Sequence, residues 1–225
     1  MDKSKKTAAK RKASVRNVKP DSLSEGRIRE KNVQKILAAA VEVFSRKGLD
    51  GTRIVEIAGA SGLPKGTVYY YFSSKEEIYR AALDSLIHSW DEAFDHISLD
   101  REPQESITAY VRVKLENARV NAAETRFFAN EVLQGARHLG KQAREHMRTV
   151  TREKARVIQH WAEAGKIAKV DPRHLFILLW SATQFYVEFE TLACDALEVK
   201  QLRPIDHANA AATITQVVLR GLLTA

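Results

Sequence analysis

Cysteine is almost absent from this chain of 225 residues, which contains Cys194 alone. A single thiol cannot form an internal disulfide, and no group of cysteines and histidines has the spacing of a metal site. No apolar run reaches the roughly 18 residues that a transmembrane helix requires. We therefore expect a cytoplasmic protein with no metal, no cofactor and no membrane partner.

Proline and glycine are also scarce, with 5 and 10 residues. No segment alternates apolar and polar residues as a half-buried strand does, whereas apolar residues recur at helical spacing along most of the chain. The sequence therefore predicts an all-α protein. No nucleophile is paired with a general base in a recognisable motif, so we predict no catalytic residues and no enzyme activity.

Acidic residues are nearly missing from residues 1–19, which contain eight lysines and arginines and only Asp2. This segment therefore carries most of the net charge of +8. It has few large apolar residues and cannot bury itself, so we predict a disordered basic arm over residues 1–26. Beside a DNA-binding unit such an arm would contact phosphates or the minor groove and add affinity. A solubilising tail is the alternative.

Amphipathic stripes predict the helices that follow the arm. The helix that begins after the capping box of Ser74 and Glu77 is predicted to run beyond Phe94 and to join two parts of the protein rigidly. Asp171 is a predicted N-cap. The remaining predicted helices cover about 27–47, 105–122, 125–134, 140–164, 172–193 and 206–223.

Residues 52–72 have the pattern of two short helices joined by a tight turn. Thr52 is placed to cap the first helix, Gly62 to end it, and Pro64 to open the second. The second helix has a small apolar footprint and a polar, aromatic outer face, as a helix-turn-helix recognition helix has. No acidic residue occurs over 59–74, as a phosphate-facing surface requires. An ordinary helical hairpin with tyrosines in the core is the alternative.

The run KGTVYYYFSSKEEIY, which begins at Lys65, is a specific match to a known family signature. With it, residues 27–94 resemble the TetR family of bacterial transcriptional regulators. The positions that carry the resemblance are Phe44, Gly48, Thr52, Ile57, Ala58, Gly62, Lys65, Gly66, Thr67, Val68, Tyr69, Tyr71, Phe72, Lys75, Glu76 and Glu77.

The resemblance implies a three-helix DNA-binding unit over 27–74 and an effector-binding and dimerisation domain over 75–225. It implies a homodimeric, sequence-specific transcriptional regulator, usually a repressor, in the bacterial cytoplasm and on the nucleoid when bound to operator DNA. A small-molecule effector would control it. The alternative is an architectural DNA-binding protein without an effector, and a closed cavity within 110–190 would discriminate between the two.

Carried over position by position, the resemblance also implies which residues touch DNA. Thr67 and Tyr71 suit phosphate oxygens, and Lys65 and Tyr70 suit base edges or a thymine methyl group. For Tyr69 a structural role, with its ring packed inside the unit, is the alternative. The candidate DNA-binding residues are Thr52, Arg53, Lys65, Gly66, Thr67, Tyr69, Tyr70, Tyr71 and Lys75.

The C-terminal part resembles the pyrimidine-utilisation subgroup of this family over most of 105–190. The resemblance is carried by VRVKLE from Val111, by IAKVDPRH from Ile167 and by LWSATQFY from Leu179. It favours a pyrimidine or a related nitrogen compound as the effector. The candidate effector-binding residues are Phe128, Glu131, Trp180, Gln184 and Tyr186.

For two of these candidates, the chemistry of the side chain itself supports effector binding. Gln184 offers both a donor and an acceptor, which an amide-bearing ring needs, and Trp180 could stack on a flat ligand. The alternative is that Trp180 and Phe185 belong to the core or to a dimer interface and that Gln184 is a satisfied interface amide.

Overall fold

A computed structural model describes residues 20–223, apart from the side chains of residues 20–25, 88 and 89, and the described chain is helical without strands, as the sequence predicts. None of these helices is both long and apolar enough to cross a bilayer. The helices are α1 (Pro20–Lys47), α2 (Ile54–Ser61), α3 (Lys65–Tyr71), α4 (Lys75–Ser89), α5 (Asp91–Asp95), α6 (Pro103–Val120), α7 (Ala122–Leu133), α8 (Lys141–Glu163), α9 (Pro172–Glu188), α10 (Glu190–Ala196) and α11 (Pro204–Leu222).

One hydrophobic core lies under the helix-turn-helix. Phe44 of α1, Ile57 of α2, Val68 of α3 and Leu83 of α4 are fully buried in it. Phe127 of α7 belongs to the same core and stacks on Phe44 with ring centroids 5.8 Å apart. Because α7 packs against α1, the C-terminal domain rests directly on the DNA-binding unit.

A second core lies farther from the helix-turn-helix, among α5, α6, α8, α9 and α11. Its largest fully buried side chains are Tyr110, Trp161 and Phe176. The aromatic side chains Phe94 and Trp180 pack against its edge and are only partly buried. This edge forms part of the cavity described below.

The first helix is longer than predicted. It begins at Pro20 rather than Arg27, so residues 20–26 of the predicted disordered arm are helical. Proline suits the first turn of a helix, where its missing N–H has no intrahelical acceptor. Residues 1–19 lie outside the described part of the chain, and the prediction of a basic arm there stays a prediction.

Two predicted long helices are interrupted, and the prediction of one rigid helix from Ser74 past Phe94 is wrong. The helix breaks at Trp90, whose N–H donates to the carbonyl oxygen of Ile87, three residues back, at 3.4 Å. The predicted helix 172–193 breaks at Phe189, which has φ −119° and ψ 41°. The hydrophobic stripe continues through both breaks, so its periodicity could not locate them.

The start of α2 differs from its prediction. Thr52 is buried, and its hydroxyl donates to the carbonyl oxygen of Gly48 at 2.7 Å instead of capping the helix. Arg53 is the N-cap residue, and the carboxylate of Glu56 accepts its backbone N–H at 2.9 Å. The end of α2 is as predicted, since Gly62 has φ +68° and closes the helix in the left-handed conformation.

Two other helix starts can be compared with their predicted caps. The hydroxyl oxygen of Ser74 accepts the N–H of Glu77 at 3.2 Å, which confirms half of the predicted box. The carboxylate of Glu77 accepts from the hydroxyl of Ser73 at 2.6 Å and from its N–H at 2.7 Å, one residue before the predicted position, and these two bonds lower the pKa of Glu77. At α9, Asp171 accepts from the N–H of Arg173 at 2.9 Å, which confirms that cap.

Candidate nucleic-acid interface and effector cavity

The outer face of α3 is formed by Lys65, Tyr69 and Tyr70. Tyr70 is 77% exposed and Tyr69 is 47% exposed, so the ring of Tyr69 is not packed inside the unit. The ammonium of Lys65 lies 5.6 Å from the centroid of the Tyr69 ring. Val68 holds the opposite face of α3 in the core. The helix therefore presents a cation and two aromatic rings to the outside, groups that can contact phosphates and base edges.

Gly66 lies on this exposed surface, inside a helix where glycine is unfavourable by roughly 0.5–1 kcal/mol relative to alanine. A Cβ atom at this position would meet no protein atom within 4 Å. Nothing in the described protein therefore requires a glycine here. A surface from outside that must approach the backbone closely, such as a DNA strand, would require one.

Tyr71 is held by a residue that the sequence analysis did not single out. The side-chain amide of Asn32 donates a hydrogen bond of 3.2 Å to the hydroxyl oxygen of Tyr71. The hydroxyl keeps its own proton, which remains available for a phosphate oxygen. The same contact brings α1 beside α3, so the exposed Arg29 and Lys31 are further basic residues near this surface.

Thr52 and Lys75 have their polar groups turned into the unit. The ammonium of Lys75 donates to the backbone oxygens of Leu49 at 2.8 Å and Thr52 at 3.2 Å, with Asp50 at 3.4 Å. These bonds hold the connection between α1 and α2 against the start of α4. Of the predicted residues at the start of α2, only Arg53 has an exposed side chain.

Two adjoining cavities lie in the C-terminal domain. The apolar chamber has a volume of about 90 Å³, and its aromatic wall is formed by Trp90, Phe94, Phe128 and Trp180. The polar chamber has a volume of about 200 Å³, and its polar and charged residues include Glu92, Asn117, Asn121 and Glu124. The residues that line both chambers are Trp90, Lys114 and Gln184.

Gln184 and Trp180 contribute to the apolar chamber in different ways. The side-chain amide of Gln184 makes no hydrogen bond with any residue in the described range 20–223. The indole N–H of Trp180 is already used, since it donates to the hydroxyl of Tyr110 at 2.8 Å. Its ring also stacks on Phe176, with centroids 6.1 Å apart. Trp180 is thus an oriented wall of the cavity, and Gln184 contributes amide atoms that are not hydrogen-bonded to any described residue.

The structure does not bring Glu131 and Tyr186 to this cavity. The buried carboxylate of Glu131 accepts from the N–H of His138 at 2.6 Å, so it ties α7 to the segment before α8. Burial and the Glu131 carboxylate raise the pKa of Tyr79 on α4 well above its usual range. The ring of Tyr186 lies on another side of α9, 6.3 Å from His207 of α11.

Lys114 is the cavity residue that sequence reasoning missed, although the sequence contained a clue. It falls on the buried stripe of α6 between Val111 and Leu115, a position where a cation is unusual. Its ammonium lies 5.4 Å from the centroid of the Trp90 ring. Burial lowers the pKa of Lys114 to about 8, while the charge of Glu188 acts in the opposite direction.

A larger concavity lies on the outside of the C-terminal domain. It is an open groove of about 790 Å³ between α8 and the start of α9, with a basic lining that includes Arg152 and Arg173. Both arginines are exposed and already form ion pairs, Arg152 with Glu145 and Arg173 with Asp171. Exposed pairs of this kind bind a further ligand weakly because water competes for them.

Two models of known protein families match successive parts of the chain. Residues 36–82 match the model described as bacterial regulatory proteins, tetR family, and residues 83–225 match the one described as YcdC-like protein, C-terminal region. The chain belongs to the TetR family. It is therefore a helix-turn-helix transcriptional regulator and not an enzyme.

Individual TetR-family relatives cover most of the chain. The transcriptional regulator RutR of Escherichia coli (strain K12) is 36% identical over 154 residues, 68% of this chain and 73% of RutR. The transcriptional repressor NicS of Pseudomonas putida is 26% identical over 193 residues, 83% of this chain and 90% of NicS. The structure of AibR with isovaleryl coenzyme A and operator DNA has a TM-score of 0.62 at 17% identity, with 83% and 97% covered, and shows the shared fold.

Proposed function

We propose that this protein is a homodimeric repressor that binds operator DNA through α3. A small planar molecule with an amide group, a pyrimidine or a related nitrogen compound, binds in the apolar chamber and releases the DNA. The name of NicS, a repressor, and the structure of AibR with both a ligand and operator DNA support the regulatory part of this proposal. The cavity within the C-terminal domain favours it over an architectural protein without an effector.

The amide of Gln184 is the observation that carries the choice of ligand. It lies in a chamber whose walls are mostly apolar and has no hydrogen-bonding partner in the described chain. The amide has one donor end and one acceptor end, and a ligand that both donates and accepts can satisfy both. A cyclic amide does both, and its flat ring suits the aromatic walls formed by Phe128 and Trp180. The resemblance of residues 179–186 to the pyrimidine-utilisation subgroup supports the same ligand class.

The exposed apolar residues of the last helices support a dimer. Soluble monomers rarely expose so many large apolar side chains on adjoining helices. On α11 the small residues Ala208 and Ala212 are exposed as well and permit close helix approach. A two-fold axis at this face would pair each patch with its copy. The dimer face consists of Ile177, Leu178, Phe185, Phe189, Leu192, Ile205 and Val217.

Trp90 connects the cavity to the DNA-binding unit. Its ring lines both chambers and packs edge-on against Phe128 with centroids 4.5 Å apart. Trp90 is also the residue at which α4 ends and α5 follows. A ligand that binds one arrangement of this wall more tightly shifts the protein toward it, by no more than its difference in affinity between the two arrangements. Coupling of roughly 1–3 kcal/mol is usual between such sites.

Calorimetry with uracil, thymine and their reduced and ring-opened products tests the proposal directly. We expect heat from at least one of them and release of operator DNA at the same concentration. Gln184→Ala should remove the release, whereas Gln142→Ala, a change at an exposed glutamine of α8, should retain it. Operator affinity without ligand, measured in the same titrations, reports whether the DNA-binding unit is intact.

Two results would contradict separate parts of the proposal. Absence of heat with all these compounds, beside intact operator binding, would remove the ligand class and leave the regulator. Absence of a footprint on DNA upstream of the chain's own coding sequence or elsewhere would remove operator binding itself.

A further inference from the structure

Lys114 brings a positive charge to the wall of a mostly apolar cavity. Its ammonium forms no hydrogen bond and no ion pair with any residue in the described part of the chain. Its contact is the face of the Trp90 ring, 5.4 Å away. Lys114 is partly buried, and a ring face replaces only part of the hydration that a cation loses on burial. The cavity wall therefore includes a cation that has no ion-pair partner among the described residues.

The other charged groups around the cavity are engaged or placed elsewhere. In the apolar chamber, Asp91 and His146 pair with each other at 2.9 Å. Glu92 and Glu124 line the polar chamber and do not line the apolar one. Glu188 acts on Lys114 through its charge but forms no ion pair with it among the described residues, and burial raises the pKa of its carboxyl group. Asp91 is therefore the one carboxylate in the lining of the apolar chamber, and neither it nor any other described carboxylate forms an ion pair with Lys114.

We infer that Lys114 binds the effector through a negatively charged oxygen, so that the effector is a planar ring anion. The inference rests on the proposed function, because it specifies the charge of the ligand in the same chamber. The amide of Gln184 would then pair with the ring N–H and C=O edge, and the ammonium of Lys114 with the oxyanion. The chamber of about 90 Å³ has room for a single ring rather than a larger ligand.

The charge of the effector follows from what each class of ligand would do to Lys114. A ring anion supplies an ion-pair partner for a cation that is already partly buried, so that part of the cost of binding has been met during folding. A neutral ring offers only a dipole to the same ammonium. An amine places a second positive charge beside it and is repelled. Charge-assisted hydrogen bonds are also about twice as strong as neutral ones.

Barbiturate and uracil form a matched pair of probes. Both are six-membered rings with amide groups, and barbiturate is ionised at neutral pH whereas uracil is not. Calorimetry at pH 7 with the full-length protein should show barbiturate binding at least tenfold more tightly than uracil. In Lys114→Met this preference should disappear. In Lys169→Met, which removes an exposed lysine outside the cavity, the preference should remain.

The outcomes separate this inference from the proposed function. Equal or tighter binding of uracil by the unchanged protein, or an unaltered preference in Lys114→Met, overturns the ring anion and leaves a pyrimidine-class effector standing. Binding of neither ring overturns the ring anion, and the proposed ligand class falls with it if thymine and the reduced and ring-opened products also give no heat. The ratio of the two affinities in the unchanged protein decides the charge of the ligand even if Lys114→Met does not fold.

Discussion

The ammonium of Lys75 donates a hydrogen bond of 2.8 Å to the carbonyl oxygen of Leu49. The bond joins the first residue of α4 to the connection between α1 and α2, and Thr52 receives a second bond from the same ammonium at 3.2 Å. A lysine in a DNA-binding signature thus uses its charge inside the unit. We therefore expect loss of Lys75 to lower the stability of the fold more than it lowers the affinity for DNA.

We expect Lys75→Met to lower the free energy of unfolding by about 1–3 kcal/mol, since it leaves backbone oxygens without their charged donor. Urea unfolding followed by circular dichroism measures this. Lys65→Met is the matched change at an exposed lysine of α3, and it should weaken operator binding with little change in the unfolding midpoint. The reverse pattern would mean that Lys75 acts on phosphate.

Gly66→Ala should stabilise the fold by about 0.5–1 kcal/mol, because a helical glycine loses more conformational freedom on folding than alanine does and the added Cβ meets no protein atom within 4 Å. The same change should weaken operator binding if DNA approaches this backbone closely. Gly59→Ala is the control, since Gly59 also lies in a helix, is exposed and has no atom near its missing Cβ. It should give the stability gain alone. Undiminished operator affinity in Gly66→Ala would remove Gly66 from the interface.

Tyr70→Ala and Thr67→Ala should affect DNA binding in different ways. Tyr70, the most exposed large apolar side chain among those described, should read base pairs, and its loss should relax the preference at particular positions by about 1–3 kcal/mol. Thr67→Ala should weaken binding to all sequences alike, as loss of a phosphate contact does. Selection of binding sites from random DNA measures both effects. An unchanged preferred sequence and affinity in Tyr70→Ala would contradict the assignment of the outer face.

Phe185→Asp should convert the dimer to a monomer at micromolar concentration. The side chain is 42% exposed in a single chain and stacks on Phe189 in the dimer face, so a carboxylate there would be buried without a partner. Val120→Asp changes an exposed apolar residue of α6 outside that face and should leave the association unchanged. Sedimentation equilibrium measures both. A monomeric unchanged protein would contradict the dimer itself.

The depressed pKa of Lys114 predicts a pH-dependent difference in stability. Between about pH 8 and its ordinary pKa of 10.5, the folded state binds fewer protons at Lys114 than the unfolded state does. The unchanged protein should therefore gain stability relative to Lys114→Met as pH rises through this window, by up to about 3 kcal/mol, and the difference should be flat below it. Urea unfolding of both proteins from pH 7 to 10.5 measures it. The other titratable groups that line the cavity or face Lys114 are Asp91, Glu92, Glu124, His146 and Glu188.

Lys169→Met provides the reference for that experiment, because an exposed lysine should give a stability difference that does not change with pH. A flat difference for Lys114→Met as well would show that the ammonium is better solvated than its position in the cavity indicates.

Local patterns in the sequence predicted the local structure well. The turn at Gly62, the cap at Asp171 and the burial of Val68 all depend on residues within a few positions of each other. The breaks at Trp90 and Phe189 could not be predicted in this way. They depend on contacts between helices, such as the packing of Trp90 on Phe128, whereas the stripe along the chain is uninterrupted.

The roles of polar side chains were harder to predict than the helices. Lys75 and Thr52 match a DNA-binding signature, yet both bond to backbone oxygens inside the unit. Lys75 donates to Leu49, which is distant in the sequence, and Thr52 donates to Gly48, four residues earlier. Glu131 was expected beside Gln184 but is bonded to His138. A helical stripe shows which residues point inward. It does not show whether an inward polar residue lines a cavity, as Lys114 does, or bonds to another residue, as Glu131 does.

The interruption at Trp90 allows α4 to act as a lever that pivots at Trp90, a residue of the cavity wall. From Trp90 to the start of α4 at Lys75 is about 22 Å at 1.5 Å per residue. A rotation of about 5° at the joint would therefore carry the far end of the helix by about 2 Å, and α3 with it. In a dimer the two levers move in opposite directions, so the separation of the recognition helices would change by about twice that distance. We therefore expect a single-ring effector at this wall to disturb the match of a dimer to two successive major grooves without touching the helix-turn-helix.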